Sequence, residues 1–240
     1  MSGHSKWAQI KHKKAATDAK RGQAFSKMSR MITVAAKEKG ANPTMNPRLR
    51  MVADKARSLG MPKENIERAI KKATDKTSGE SLEETRYEAY GPGGVALLID
   101  CVTDNKNRTT AEIKHTLSEY GGKLANTGSV EWLFEKKGTI DIKLNNATEA
   151  NDLALKLIDS GAEEITNGEE CITAYTDPTK LFAFKRTLEE GGIVVAEEYT
   201  VFLPKNPVDI PDEETKNKII ELLETFNDNE DVQEVYTNLE

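Results

Sequence analysis

Apolar residues recur every three or four positions in the first third of the chain and bunch into short runs beyond it. Phe25, Met28, Ile32 and Ala35 share one face of a helix, which Gly40 ends. Asn46 and Pro47 read as the N-cap and first residue of a second helix. Leu49, Val52, Ala53, Ala56 and Leu59 supply its apolar face, and Gly60 closes it. A third helix opens at Pro62 and carries Ile66, Ala69, Ile70 and Ala73. Three short helices joined by short loops predict a small helical bundle. Residues 77–86 are polar and flexible in composition and read as a domain boundary.

The following region changes period. Val95 to Ile99 is a buried-strand run, and Asn107 to Tyr120 is helical and closed by Gly121 and Gly122. Val130 to Phe134 reads as a further strand and Lys136-Lys137-Gly138 as a turn. Residues 138–205 then read as a β-α-β-β-α-β unit. Its strands run from Thr139 to Lys143, on both sides of Asn167-Gly168, a strong hairpin signal, and from Ile193 to Phe202. Its helices carry Leu153, Leu157 and Ile158, then Leu181 to Leu188 with Phe182 and Phe184. A last helix begins at Pro211, with Ile219, Ile220, Leu223 and Phe226 on its core face, and a strand follows over Val232 to Tyr236. A lone helix and strand form no core, so they are expected to return to the sheet begun near Val95. The predicted class is α+β. A basic arm and three-helix domain (1–80) precede a discontinuous α/β domain (81–137 and 206–240), with a ferredoxin-like α/β domain (138–205) inserted into it.

Charge sharpens this division. The net charge of -6 averages two opposed blocks. Residues 1–80 hold 19 Lys and Arg against 7 Asp and Glu, and residues 81–240 hold 15 against 33. A basic module of this kind is the footprint of a nucleic-acid partner, or more rarely of an anionic membrane surface; a solvated basic face is the bland alternative. Residues 1–21 have only Trp7 and Ile10 as apolar anchors, too little to offset the entropy of ordering, so they predict an arm.

Catalytic chemistry finds no purchase. His4 and His12 are eight residues apart, a spacing that fits no zinc motif, and His115 stands alone. No HExxH, CxxC, GxSxG or GxxxxGK[ST] sequence occurs. No enzyme, metal, cofactor or small-molecule substrate is expected. No apolar run approaches eighteen residues and the start lacks an apolar h-region, so neither a membrane span nor a secretory signal is expected. Cys101 and Cys171 read as reduced thiols of a cytoplasmic protein.

The candidate nucleic-acid-binding residues are His4, Ser5, Lys6, Trp7, Lys11, His12, Lys13, Lys14, Lys20 and Arg21, with Arg48 and Arg50 on the second helix. Lysine and arginine neutralise phosphates and release counterions. Trp7 either stacks on an unpaired base or anchors the arm on the bundle. Two loops are singled out without a role. Tyr90-Gly91-Pro92-Gly93-Gly94 precedes a strand rather than a helix, so it reads as a tight turn before a phosphate loop. Asp104, Asn105, Asn107 and Arg108 lie between a strand end and a helix start, where ligands commonly bind. Their structural reading has Asn107 as N-cap, Asp104 in a turn and Arg108 solvated.

The opening SGHSKWAQIKHKKAATDAKRGQAFSK resembles the signature start of the YebC family, whose mitochondrial relatives are translational activators of cytochrome c oxidase. NPRLRMVADKARSLGMPKENIERAIKKA, YEAYGPGGVALLIDCVTDNKNRTTAEIKHTLSEYGG and TGSVEWLFEKKG resemble further family blocks in the same order. The resemblance implies three domains around a cleft. It also implies regulation of gene expression through a nucleic acid: either a transcriptional regulator binding DNA through its basic N-terminal domain, or a factor binding ribosomal RNA on the ribosome that relieves stalling at proline-rich stretches. The arm and the two loops match family blocks.

Overall fold

The computed structural model describes residues 18–74, 81–144, 150–168 and 171–240. The chain divides into two compact units, one of residues 135–203 and one that combines the segments before and after it.

The second of these begins with three helices, α1 (Asp18–Lys39), α2 (Pro47–Ser58) and α3 (Lys63–Thr74). Met28, Ile32, Ala35 and Ala36 of α1 pack with Leu49, Val52, Ala53 and Ala56 of α2 and Ile66 and Ala69 of α3. One buried side chain makes the α1–α2 corner. The Asn46 Oδ1 atom accepts from the Leu49 N–H (3.0 Å) and caps α2. Its amide nitrogen donates to the carbonyls of Ala35 (2.8 Å) and Gly40 (2.9 Å), satisfying groups that the end of α1 leaves open. Helix α1 takes in the last four residues of the expected arm, so Lys20 and Arg21 are helical.

The same unit contains a sheet in the order β3-β1-β2-β8, from β1 (Glu83–Tyr90), β2 (Ala96–Thr103), β3 (Lys123–Leu124) and β8 (Val232–Thr237). Strands β1 and β2 form an antiparallel hairpin from Glu83↔Thr103 to Tyr90↔Ala96, and β8 pairs antiparallel with β2. Leu97, Ile99 and Cys101 of β2 meet Ile113 and Leu117 of α4 (Lys106–Glu119) and Ile219, Leu222, Leu223 and Phe226 of α7 (Glu213–Asp228). The final helix and strand thus complete the sheet begun near Val95. Strand β1 takes in the last four residues of the 77–86 stretch that reads as a domain boundary. Residues 130–134 are not a strand: Glu131–Leu133 form a 3-10 turn, and β4 begins at Phe134.

The unit of residues 135–203 has the order β5-β6-β4-β7, as a β-α-β-β-α-β chain requires. Its elements are β4 (Phe134–Lys143), α5 (Ala150–Asp159), β5 (Glu164–Asn167), β6 (Cys171–Thr176), α6 (Leu181–Glu190) and β7 (Glu197–Pro204). Ile140, Ile142, Ile172, Ala174, Leu157, Phe184 and Leu188 are buried, whereas Ile158 and Phe182, expected on core faces, are exposed. Lys136-Lys137-Gly138 lies within β4 and is no turn. A Cβ at Gly138 would come within 3.0 Å of Leu181 Cβ, so the glycine serves strand–helix packing.

Candidate nucleic-acid interface

His4, Ser5, Lys6, Trp7, Lys11, His12, Lys13 and Lys14 lie outside the described residues. Lys20 and Arg21 are exposed on the first turn of α1, and the Arg21 guanidinium lies 5.7 Å from the centre of the Phe25 ring. All three helices of the bundle end in cations, Lys37 and Lys39, Lys55 and Arg57, and Lys71 and Lys72, which face the negative ends of the helix dipoles. Lys39, Lys63, Arg68 and Lys71 are exposed, although α3 also presents Glu64 and Glu67.

Part of the basic charge is consumed inside the protein. Gln23, Lys27 and Arg30 stand at i, i+4 and i+7 on α1, so they share one face. The Gln23 amide donates to the carbonyl of Asp228, and Lys27 Nζ donates to that of Asn227 at 2.5 Å. Both carbonyls belong to the last turn of α7, the negative end of its dipole. Arg30 pairs with Asp231 and donates to the carbonyl of Val102. Arg48 is braced between Glu38 and Glu84, tying α2 to β1. Burial works against its charge, but the two carboxylates raise its pKa above the ordinary value.

Asp231 is the centre of a buried network. Its carboxylate accepts from Arg30, from Arg108 (2.9 Å), and from the hydroxyls of Thr109 (2.7 Å) and Thr103 (3.2 Å). Burial opposes its ionisation, but bonds from Arg108, Thr109 and Arg30 hold its pKa below the usual range. Arg108 also pairs with Asp104 at 2.9 Å, so it is engaged rather than merely solvated. The N-cap of α4 is Asn105, whose side chain accepts from the Arg108 N–H at 3.1 Å; Asn107, the expected cap, is exposed in the first turn. An open cavity of about 320 Å³ is lined by Arg30, Arg108, Glu112, Asn229, Glu230 and Asp231. Three carboxylates against two guanidiniums make it a poor host for a phosphate.

The Tyr90–Gly94 segment is the turn of the β1–β2 hairpin. The Gly91 N–H donates to the Val95 carbonyl at 2.8 Å, and Gly93 and Gly94 have φ of +66° and +79°. On the face away from the helices, the buried Glu88 carboxylate accepts the N–H groups of Gly128 (2.5 Å), Val130 (2.5 Å) and Glu131 (2.9 Å). Burial raises the Glu88 pKa, but these donors and Arg86 together bring it below the ordinary value. Sequence reasoning missed Glu88, Arg30 and Asp231. The only available signal was the polar i, i+4, i+7 stripe on α1.

Two family models cover nearly the whole chain: the TACO1/YebC protein N-terminal domain matches residues 5–76, and the TACO1/YebC second and third domain matches residues 82–239. The chain belongs to the TACO1/YebC family. A relative from Halothermothrix orenii is 46% identical over all of this chain and 95% of its own length, and one from Thermotoga maritima is 48% identical over all of this chain and 94% of its own. Both are named "Probable transcriptional regulatory protein". The crystal structure of a conserved hypothetical protein from Aquifex aeolicus matches with a TM-score of 0.89 and 46% identity, covering 98% of this chain and 97% of that one. The break between the two TACO1/YebC models falls between α3 and β1. Among the described residues no helix is long and apolar enough to cross a membrane. No group of three or more His, Cys, Asp or Glu among them is placed to hold a metal ion.

Proposed function

We propose that this chain is a non-enzymatic, cytoplasmic regulator of gene expression that binds DNA through its arm and the basic surface of its helical domain. The carrying observation is the segregation of charge, 19 cations against 7 carboxylates in residues 1–80. After Lys27, Arg30 and Arg48 are assigned to internal contacts, Lys20, Arg21, Lys39, Arg68 and Lys71 are still at the surface. The acidic remainder is repelled by a polyanion and orients the protein arm-first. The naming of its relatives as probable transcriptional regulators agrees with this reading.

A second reading, a factor that binds ribosomal RNA and relieves stalling at proline-rich stretches, is favoured by the surface of α3. Glu64 and Glu67 stand among its cations, and a helix reading a DNA groove would carry them against phosphates. Retention on promoter DNA, compared with sedimentation with ribosomes at low salt, separates the two readings. In either case, engagement of about five phosphates gives a slope of log affinity against log salt of about -4. Deleting residues 1–21 is expected to abolish binding while the rest stays folded. Normal binding by the truncated chain, or a flat salt dependence, removes the basic module from the account.

A further inference from the structure

Trp132 is the one tryptophan among the described residues, and it is 63% exposed. It stands on an immobilised support. Glu88 fixes the N–H groups of Gly128, Val130 and Glu131, and the Tyr90 hydroxyl donates to the Ser129 carbonyl at 3.2 Å. The Lys205 N–H donates to the Leu133 carbonyl at 2.9 Å on the far side. The ring's own polar atom is also used: Nε1 donates to the Ser129 carbonyl at 2.9 Å. What is left for a partner is the apolar π-face, already oriented. Lys205 is exposed and reaches the same residue's backbone, its Nζ donating to the Trp132 carbonyl at 2.9 Å, a neutral acceptor that leaves the ammonium charge in place. Arg86, by contrast, is neutralised by Asp100 and Glu131.

We propose that Trp132 and Lys205 form a stacking site for an unpaired nucleobase and its phosphate, outside the helical domain; the acidic surface around it repels a polyanion as a whole, so the site takes a strand already held by the basic module. The proposal rests on the nucleic-acid reading above and adds a preference for single strands. A flat aromatic face on a rigid support accepts any base, and the Lys205 ammonium takes the backbone charge. Bases inside a duplex cannot reach it. A proline-rich peptide could lie on the indole, but it would make no use of the ammonium.

The chain has two tryptophans, so Trp7→Phe leaves Trp132 as the only one. Labelled oligouridylate, oligothymidylate and a short DNA duplex are titrated into this full-length variant at low salt. Label anisotropy reports occupancy and tryptophan emission reports stacking, so any effect of Trp7→Phe on affinity is read in the same titration. Both single strands should quench Trp132 in step with occupancy, the uridylate and thymidylate arms distinguishing RNA from DNA, and the duplex should bind without quenching. Trp132→Ala in the natural background should weaken single-strand binding by about 5- to 150-fold, with duplex binding unchanged. Trp132→Phe should recover most of the loss. A single-strand complex with unquenched Trp132 overturns this site alone. Quenching by a polyproline peptide but not by either oligonucleotide overturns it in favour of a peptide. Absence of any complex with any nucleic acid brings down the functional reading as well.

Discussion

Lys27 Nζ donates to the backbone carbonyl of Asn227 at 2.5 Å, joining the first described helix to the last across 200 positions of sequence. The lysine is only 8% exposed. A cation from the basic third is therefore spent on the C-terminal end of α7, in line with Gln23 and Arg30 on the same face of α1.

Replacing Lys27 separates internal from external charge. Lys27→Met removes a charged hydrogen bond at a helix terminus and is expected to cost about 1.5–3 kcal/mol in urea denaturation. Its nucleic-acid affinity should match the parent's. Arg68→Gln with Lys71→Gln should do the reverse, with unchanged stability and weaker binding of a shallower salt slope. A Lys27 variant that folds normally but binds poorly would place that lysine on the phosphates instead.

Asp231→Ala should be more damaging, because it strips a common acceptor from Arg30, Arg108, Thr103 and Thr109 at once. Breaking a buried charged network by removing its centre is expected to cost about 3 kcal/mol. Hydrogen exchange should quicken first where α1 meets β2 and β8. Uniform loss of protection across the bundle and sheet would show that the network adds global stability without specifically joining them.

The helices of the bundle were legible because each buries one stripe, so period and burial coincide. The β-α-β-β-α-β unit was legible for a similar reason, with apolar runs broken at the Asn167-Gly168 turn. Strand β1 was not. Its outward residues Glu84, Arg86 and Glu88 find partners in Arg48, Asp100 and the backbone of 128–131, all distant in sequence. A strand whose charges are satisfied by tertiary contacts looks like linker to any local reading. The α4 cap shows the same limit: Asn105 and Asn107 are chemically identical, and only the end of β2 at Thr103 decides between them. Val130 to Phe134 read as a strand, whereas the structure has a 3-10 turn at Glu131–Leu133 and leaves Trp132 exposed.

Acid should expose both buried carboxylates. Asp231 and Glu88 have folded pKa values below their unfolded ones. Their contribution is therefore complete above the unfolded values near pH 4 and is lost as pH falls through the lowered folded values. The urea midpoint is expected to hold from pH 7 to about 5 and to drop below about pH 4. Glu88→Gln should lower the neutral-pH midpoint and flatten the acid decline, because the titrating group is gone while an amide satisfies the three N–H donors poorly. Parallel pH profiles for parent and variant would show that Glu88 carries no such linkage.

The Gly-Pro-Gly-Gly loop offers a direct choice between a turn and a ligand cradle. Gly94 is exposed with φ of +79°, and a Cβ there meets nothing within 4 Å. Gly93, at φ +66°, would place its Cβ 3.1 Å from both Ile210 Cδ1 and Thr215 Cγ2. For a plain turn, Gly94→Ala costs only the left-handed backbone penalty, about 1–2 kcal/mol, and Gly93→Ala costs more because α7 and its preceding loop must shift. Thermal melts should rank the two in that order, with nucleic-acid affinity unchanged for Gly94→Ala. Were the backbone at Gly94 approached closely by a bound polymer, that same methyl group would abolish binding with little loss of stability.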